Sequence, residues 1–105
     1  MDYSENKINT VFIESALIDL VPILIETLSK ELTDMEMLLR SGKFADLQEL
    51  NHSSRGAALT YGFDGYAEIL IDVKKAVTNG DIEIAKSLLG QLQNMLGTVE
   101  FRSAE

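Results

Sequence analysis

Between residues 22 and 40 the chain carries Leu24, Leu28, Leu32, Met35 and Leu39, apolar side chains three or four residues apart, with Glu26, Lys30, Glu31 and Glu36 between them. That period belongs to an α-helix, and a stripe of this kind has to be buried against another element. The pattern recurs downstream. Tyr66, Ala67, Leu70, Val73 and Val77 form a second stripe, and Ala85, Leu88, Leu92, Met95 and Val99 follow heptad spacing. Segment 43–61 has a weaker apolar face, through Phe44, Leu47, Leu50 or Asn51, Ser54, Ala57 or Ala58, and Tyr61. Strand-like alternation bounded by hairpin turns is not found, so no strand is predicted.

Punctuation supports the same division. Pro22 suits the first turn of a helix, and Ser41-Gly42 supplies a stop, because glycine tolerates the left-handed backbone that ends many helices. Asn79-Gly80-Asp81 reads as a tight turn in which Asp81 caps the next helix, and Asp64, after Gly62, is a second candidate cap. A short N-terminal helix is predicted over residues 10–20, carrying Val11, Ile13, Ala16, Leu17 and Leu20, with frayed ends at 1–6 and 102–105. The 105 residues suit one small domain, 1–105, with its core over about 21–99. The expected fold is all-α: an antiparallel up-and-down four-helix bundle with an additional short N-terminal helix.

Charge and composition narrow the function. Seventeen Asp and Glu against nine Lys and Arg give a net charge of -8 with no basic block, which argues against nucleic acid and anionic membrane as partners. Cysteine is absent, so disulfides, thiolate metal sites and cysteine nucleophiles are excluded. The N-terminus has no basic region followed by an apolar one, and no apolar run approaches the roughly 18 residues of a membrane span, so a cytoplasmic, monomeric protein is expected. A self-sufficient enzyme is not expected either. There is no Gly-rich phosphate loop and no His pair at metal spacing, and Asp34, Glu36, Asp46, Glu49, Asp64 and Glu68 mostly decorate outward helix faces. Ser53 and Ser54 follow His52 directly, but side chains one and two residues apart on a helix diverge, so neither pairs with it as a nucleophile with its base.

Segment 43–61 holds the constellation that packing does not explain. At 100° per residue, Gln48, His52, Arg55, Gly56 and Leu59 fall on the side away from the apolar face, which puts the chain's one histidine in water. Gly56 costs the helix about 1 kcal/mol relative to Ala. Two explanations are open: close packing against a neighbouring helix, which its outward direction disfavours, or a partner surface that needs bare backbone beside His52. The second is preferred. A neutral imidazole offers a ring nitrogen as nucleophile. A phosphoryl group placed on it brings up to two negative charges one turn from Arg55, a contact worth roughly 1.5 to 3 kcal/mol when well formed. Without that group, Arg55 is free to pair with Asp46 or Glu49 or to stay solvated, for about 0 to 1 kcal/mol.

The arrangement His-x-x-Arg-Gly on a bundle helix, followed by a second Gly six residues on, resembles the histidine-containing phosphotransfer (HPt) domain, whose motif is His-x-x-Lys/Arg-Gly with that later Gly. Here these are His52, Arg55, Gly56 and Gly62, and the resemblance covers roughly residues 21–96. Two positions depart from the pattern: Ser54 stands where a large apolar residue is usual, and Asn51 where Ala is common. The resemblance implies a phosphorelay intermediate in which His52 takes a phosphoryl group from a receiver domain's aspartyl phosphate and passes it to a response regulator. The implied partners are receiver domains and hybrid sensor histidine kinases. It further implies that no cofactor is bound by this chain, that Mg2+ sits in the receiver, and that a polar side chain of the following helix, by counting Lys74, faces the histidine. The competing expectation is a non-catalytic helical adaptor, or a degenerate module that docks a receiver without being phosphorylated, with Val11, Phe12, Ile18 or Leu59 as exposed contacts.

Overall fold

Each apolar stripe becomes the inner face of a helix in the computed structural model, which describes residues 9–104. Four helices follow in order: α1 (Val21–Arg40), α2 (Phe44–Thr60), α3 (Asp64–Thr78) and α4 (Ile82–Thr98). The whole predicted stripe of α1 is buried, as are Tyr66, Ala67, Leu70, Val73 and Val77 of α3. α1 packs on α2 and α4, and α3 packs on the same two, so the four inner faces share one apolar core. Among the described residues no helix is long and apolar enough to cross a membrane.

The heptad reading of α4 needs correction. Its buried positions are Ala85, Leu89 and Leu92, while Leu88 and Met95 are half-buried and Val99 lies beyond the helix. A helix that packs against two neighbours buries a wider face than a coiled-coil seam, and that face includes Leu89. On α2, Phe44 is exposed rather than inward.

One turn design links the helices. After α2, Gly62 takes a left-handed backbone (φ +74°), its N–H donates to the Leu59 carbonyl at 3.1 Å, and the Phe63 N–H donates to the Ala58 carbonyl at 2.8 Å. These two bonds satisfy carbonyls that the helix end leaves without partners. The same pair recurs in the turns after α1 and α3. In each turn the residue after the glycine, Lys43, Phe63 or Asp81, becomes the N-cap position of the next helix. Asp64 is therefore the first helical residue and not a cap, and Asp81 holds the cap position without a side-chain capping bond.

The N-terminal segment is not a single helix. Asn9–Ile13 is a strand, β1, which pairs in parallel with a second strand, β2 (Val99–Ser103), in the register Asn9 to Val99 through Ile13 to Ser103. A 3-10 helix, Ser15–Leu20, then leads into α1. Thr10, Val11, Phe12 and Ile13 are β-branched or aromatic and favour extended backbone. Residues 102 and 103, expected to fray, belong to β2, and the Ala104 N–H donates to the Ile13 carbonyl at 2.8 Å. The expectations for residues 1–6 and 105 lie outside the described residues. Phe101 ties the sheet to the core by meeting Phe63 edge-on at 5.5 Å, and Phe63 meets Tyr66 at 5.0 Å.

Tyr66 is fully buried, and its hydroxyl has no hydrogen-bond partner among the described residues. Burial, reinforced by the negative charge of Glu31, keeps this phenol protonated far above its ordinary range near 10. The unfolded chain therefore loses the proton first as pH rises, so this group's stability contribution is intact below about pH 10 and is lost above it. Tyr66→Phe is expected to lessen the alkaline loss. At neutral pH it should leave stability unchanged or raise it by up to about 1 kcal/mol, since the deleted hydroxyl is unpartnered. Urea midpoints at neutral and alkaline pH check this, and a variant with the parent's pH dependence contradicts it.

Candidate functional site

Only Leu47 and Ala58 are buried apolar residues on α2, so its apolar face alone gives the helix a weak rotational preference. Two buried polar side chains supply the rest. The Asn51 Nδ2 donates to the Leu70 carbonyl of α3 at 2.8 Å, and the Ser54 hydroxyl donates to Glu31 Oε1 of α1 at 2.6 Å. Gln48 Nε2 adds longer contacts to the Lys74 carbonyl at 3.3 Å and the Thr78 hydroxyl at 3.4 Å. Asn51 and Ser54 are the two positions that depart from the phosphotransfer pattern, and each fastens α2 to a different neighbour. The remaining acceptors, Gln48 Oε1 and Asn51 Oδ1, are buried without partners among the described residues.

With that rotation set, His52 is exposed on the opposite side. Arg55, one turn on and half-buried, reaches back to it: Arg55 Nη2 lies 3.1 Å from His52 Nδ1. Of the partners open to Arg55, the imidazole is the one it takes, and neither Asp46 nor Glu49 forms an ion pair with it. A guanidinium has donors only, so Nδ1 must be the acceptor in this contact. A neutral ring held in this contact carries its proton on Nε2. A lone pair on Nε2 becomes available only when Arg55 lets go of Nδ1 and the proton moves there.

The two motif glycines differ physically. Gly62 is required by the left-handed turn. Gly56 sits within α2 without a positive φ, and a Cβ built there would meet nothing within 4 Å. Close packing among the described residues therefore does not explain it.

Lys74 is exposed on α3 and lines, with Arg55, Ile71, Lys75, Thr78 and Asn79, an open cleft of about 550 Å³ on the α3 side of α2. Its contact with α2 runs through its carbonyl oxygen, to Gln48, and no contact joins its ammonium to His52. The α1 side is opposite in character, with Asp34, Asp46, Glu49 and Ser53 around another groove. Farther along α2, exposed Leu59 and Phe12 share a small cleft of about 280 Å³, while Val11 and Ile18 are half-buried. Lys75 and the anchoring roles of Asn51 and Ser54 escaped the sequence reading; only the lysine's place beside Lys74 on α3 signalled the first.

No family model, curated protein or solved structure matches the chain.

The Arg55 contact makes a direct prediction about the imidazole. In long-range 1H–15N spectra of the neutral ring, Nε2 is expected to carry the proton and Nδ1 to show the shift of a hydrogen-bonded acceptor. Arg55→Ala should move both signals toward those of free imidazole. Identical ring shifts in the two proteins would contradict the contact.

Proposed function

We propose that the chain is a histidine phosphotransfer protein of the HPt type, built as an antiparallel up-and-down bundle, which carries a phosphoryl group on His52 between receiver domains. The observation that carries this reading is the exposed His52 with the Arg55 guanidinium 3.1 Å from Nδ1, beside a helical glycine that no internal packing requires. The Nε2 lone pair attacks the phosphorus of a receiver's aspartyl phosphate. The P–O bond to the carboxylate breaks, its electron pair leaves with the carboxylate, and phosphorus becomes bonded to nitrogen; transfer onward is the same step reversed. Arg55 gives up Nδ1 and takes the phosphoryl oxygens, whose charge now makes them the stronger acceptor. The Nδ1 site so vacated takes the ring proton, which frees Nε2. On the family resemblance, Mg2+ and the other charge-neutralising groups come from the receiver, and such transfers depend mainly on alignment and charge neutralisation. Gly56 lets the receiver's backbone come close to α2.

A second reading has its own support. The exposed pair Phe12 and Leu59 suits a helical adaptor that docks a partner without accepting phosphate. The two readings differ in their need for His52.

Incubation with a phosphorylated receiver and Mg2+, followed by intact mass measurement before and after mild acid, is expected to give one acid-labile phosphoryl adduct that His52→Gln abolishes. Gly56→Ala should stabilise the isolated protein by about 0.5–1 kcal/mol, because its methyl group meets open space, while slowing transfer from the same receiver. A receiver that binds the chain and its His52→Gln variant equally and leaves both unmodified would favour the adaptor.

A further inference from the structure

The chain has nine Lys and Arg against seventeen acids, yet three of its cations gather in one place. Arg55, Lys74 and Lys75 all line the cleft between α2 and α3, closed by Ile71, Thr78 and Asn79, with no carboxylate among the lining residues. The ion pairs of the described residues, Lys86 with Glu83 and Arg102 with Glu100, lie elsewhere, so among those residues no acid forms an ion pair with any of the three. Like charges left together in this way repel one another, and an anion between them relieves the cost. The other polar groups of the cleft suit the same ligand. The Thr78 hydroxyl accepts from Gln48 Nε2 at 3.4 Å and keeps its own O–H as a donor, and Asn79, also lining the cleft, has a side-chain amide that can donate.

We infer that this cleft is a binding site for a phosphate dianion, free or as a small monoester. Phosphate is acceptor-rich and doubly charged, and a planar guanidinium with two ammonium groups offers it one bidentate and two point contacts. The site needs no covalent step and stands whether or not His52 accepts a phosphoryl group. Occupancy reaches His52 nonetheless. Arg55 is shared between the cleft and the imidazole, and a dianion draws it from Nδ1. Phosphate in the cleft is therefore a ligand that changes which ring nitrogen carries the proton.

The test is a titration of the 15N-labelled full chain with inorganic phosphate, and in a second arm with glycerol phosphate, at ionic strength balanced with chloride. Saturating amide shifts in the low millimolar range are expected at Arg55, Ile71, Lys74, Lys75 and Thr78 with at least one of the two, and the arm that binds more tightly identifies the source. Lys74→Gln combined with Lys75→Gln keeps good helix formers on exposed positions and should weaken binding at least about tenfold. Lys86→Gln should bind as the parent does, and His52→Gln, which releases Arg55 from Nδ1, at least as tightly. Shifts that rise without saturation, that chloride reproduces, or that survive in the double variant overturn the site. Loss of binding in His52→Gln with retention in the double variant moves the anion onto the imidazole and overturns it equally.

Discussion

The rotation of α2 about its own axis decides what this protein presents to solvent. α1, α3 and α4 are oriented by apolar stripes that have one favourable way to face the core. α2 has Leu47 and Ala58, and between them Asn51 and Ser54. A turn of 100° about the helix axis would put His52 where Asn51 now stands. What opposes it is hydrogen bonding: leaving a buried donor or acceptor without its partner costs roughly 1–3 kcal/mol, more when a carboxylate is involved. The bonds of Asn51 to α3 and of Ser54 to Glu31 on α1 act from opposite sides, so rotation in either direction breaks one of them. Polar bonding thus supplies an orientational precision that the small apolar face of α2 lacks.

Once α2 is set, His52 stands between fields of opposite sign. On the α1 side are Asp34, Asp46 and Glu49; on the α3 side are Arg55, Lys74 and Lys75. In a protein of net charge -8, the three cations of the α3-side cleft give it a sign opposite to that of the molecule as a whole. Arg55 couples that cleft to the ring, since its guanidinium either stays on Nδ1 or follows an anion. In the proposed relay, the arrival of the phosphoryl group and the release of the Nε2 lone pair are then parts of one event.

Local sequence carried the helices well, for a physical reason. The stripes of α1 and α3 and the glycines of the three turns act within a few residues of themselves, so the spacing alone displays them. The outward direction of His52 follows from the same geometry. The sheet was hidden because β1 and β2 come from opposite ends of the described chain, and neither strand has its partner nearby in sequence. Residues 10–13 were read as helical because a short apolar run has no distinguishing period. Leu89 was missed because a heptad describes a helix with one seam, whereas α4 has two neighbours. Asn51 and Ser54 read as ordinary polar residues of a weak face; their burial depends on Leu70 and Glu31, which are nineteen and twenty-three residues away. The contact of Arg55 with His52 is a matter of side-chain conformation, and spacing left the carboxylates of Asp46 and Glu49 equally open.

The measurement that bears most directly on the orientation of α2 is a nuclear Overhauser spectrum of the uniformly labelled protein, read at Asn51, His52 and Ser54. Cross-peaks are predicted from the Asn51 side-chain amide to α3 around Leu70 and from Ser54 to Glu31, with the His52 ring protons free of contacts to the buried leucines of α1 and α3. Cross-peaks from the His52 ring to Leu28, Leu32 or Leu70, with none from Asn51 to α3, would mean that the helix is turned the other way. The imidazole would then be part of the core and unable to serve as an exposed nucleophile.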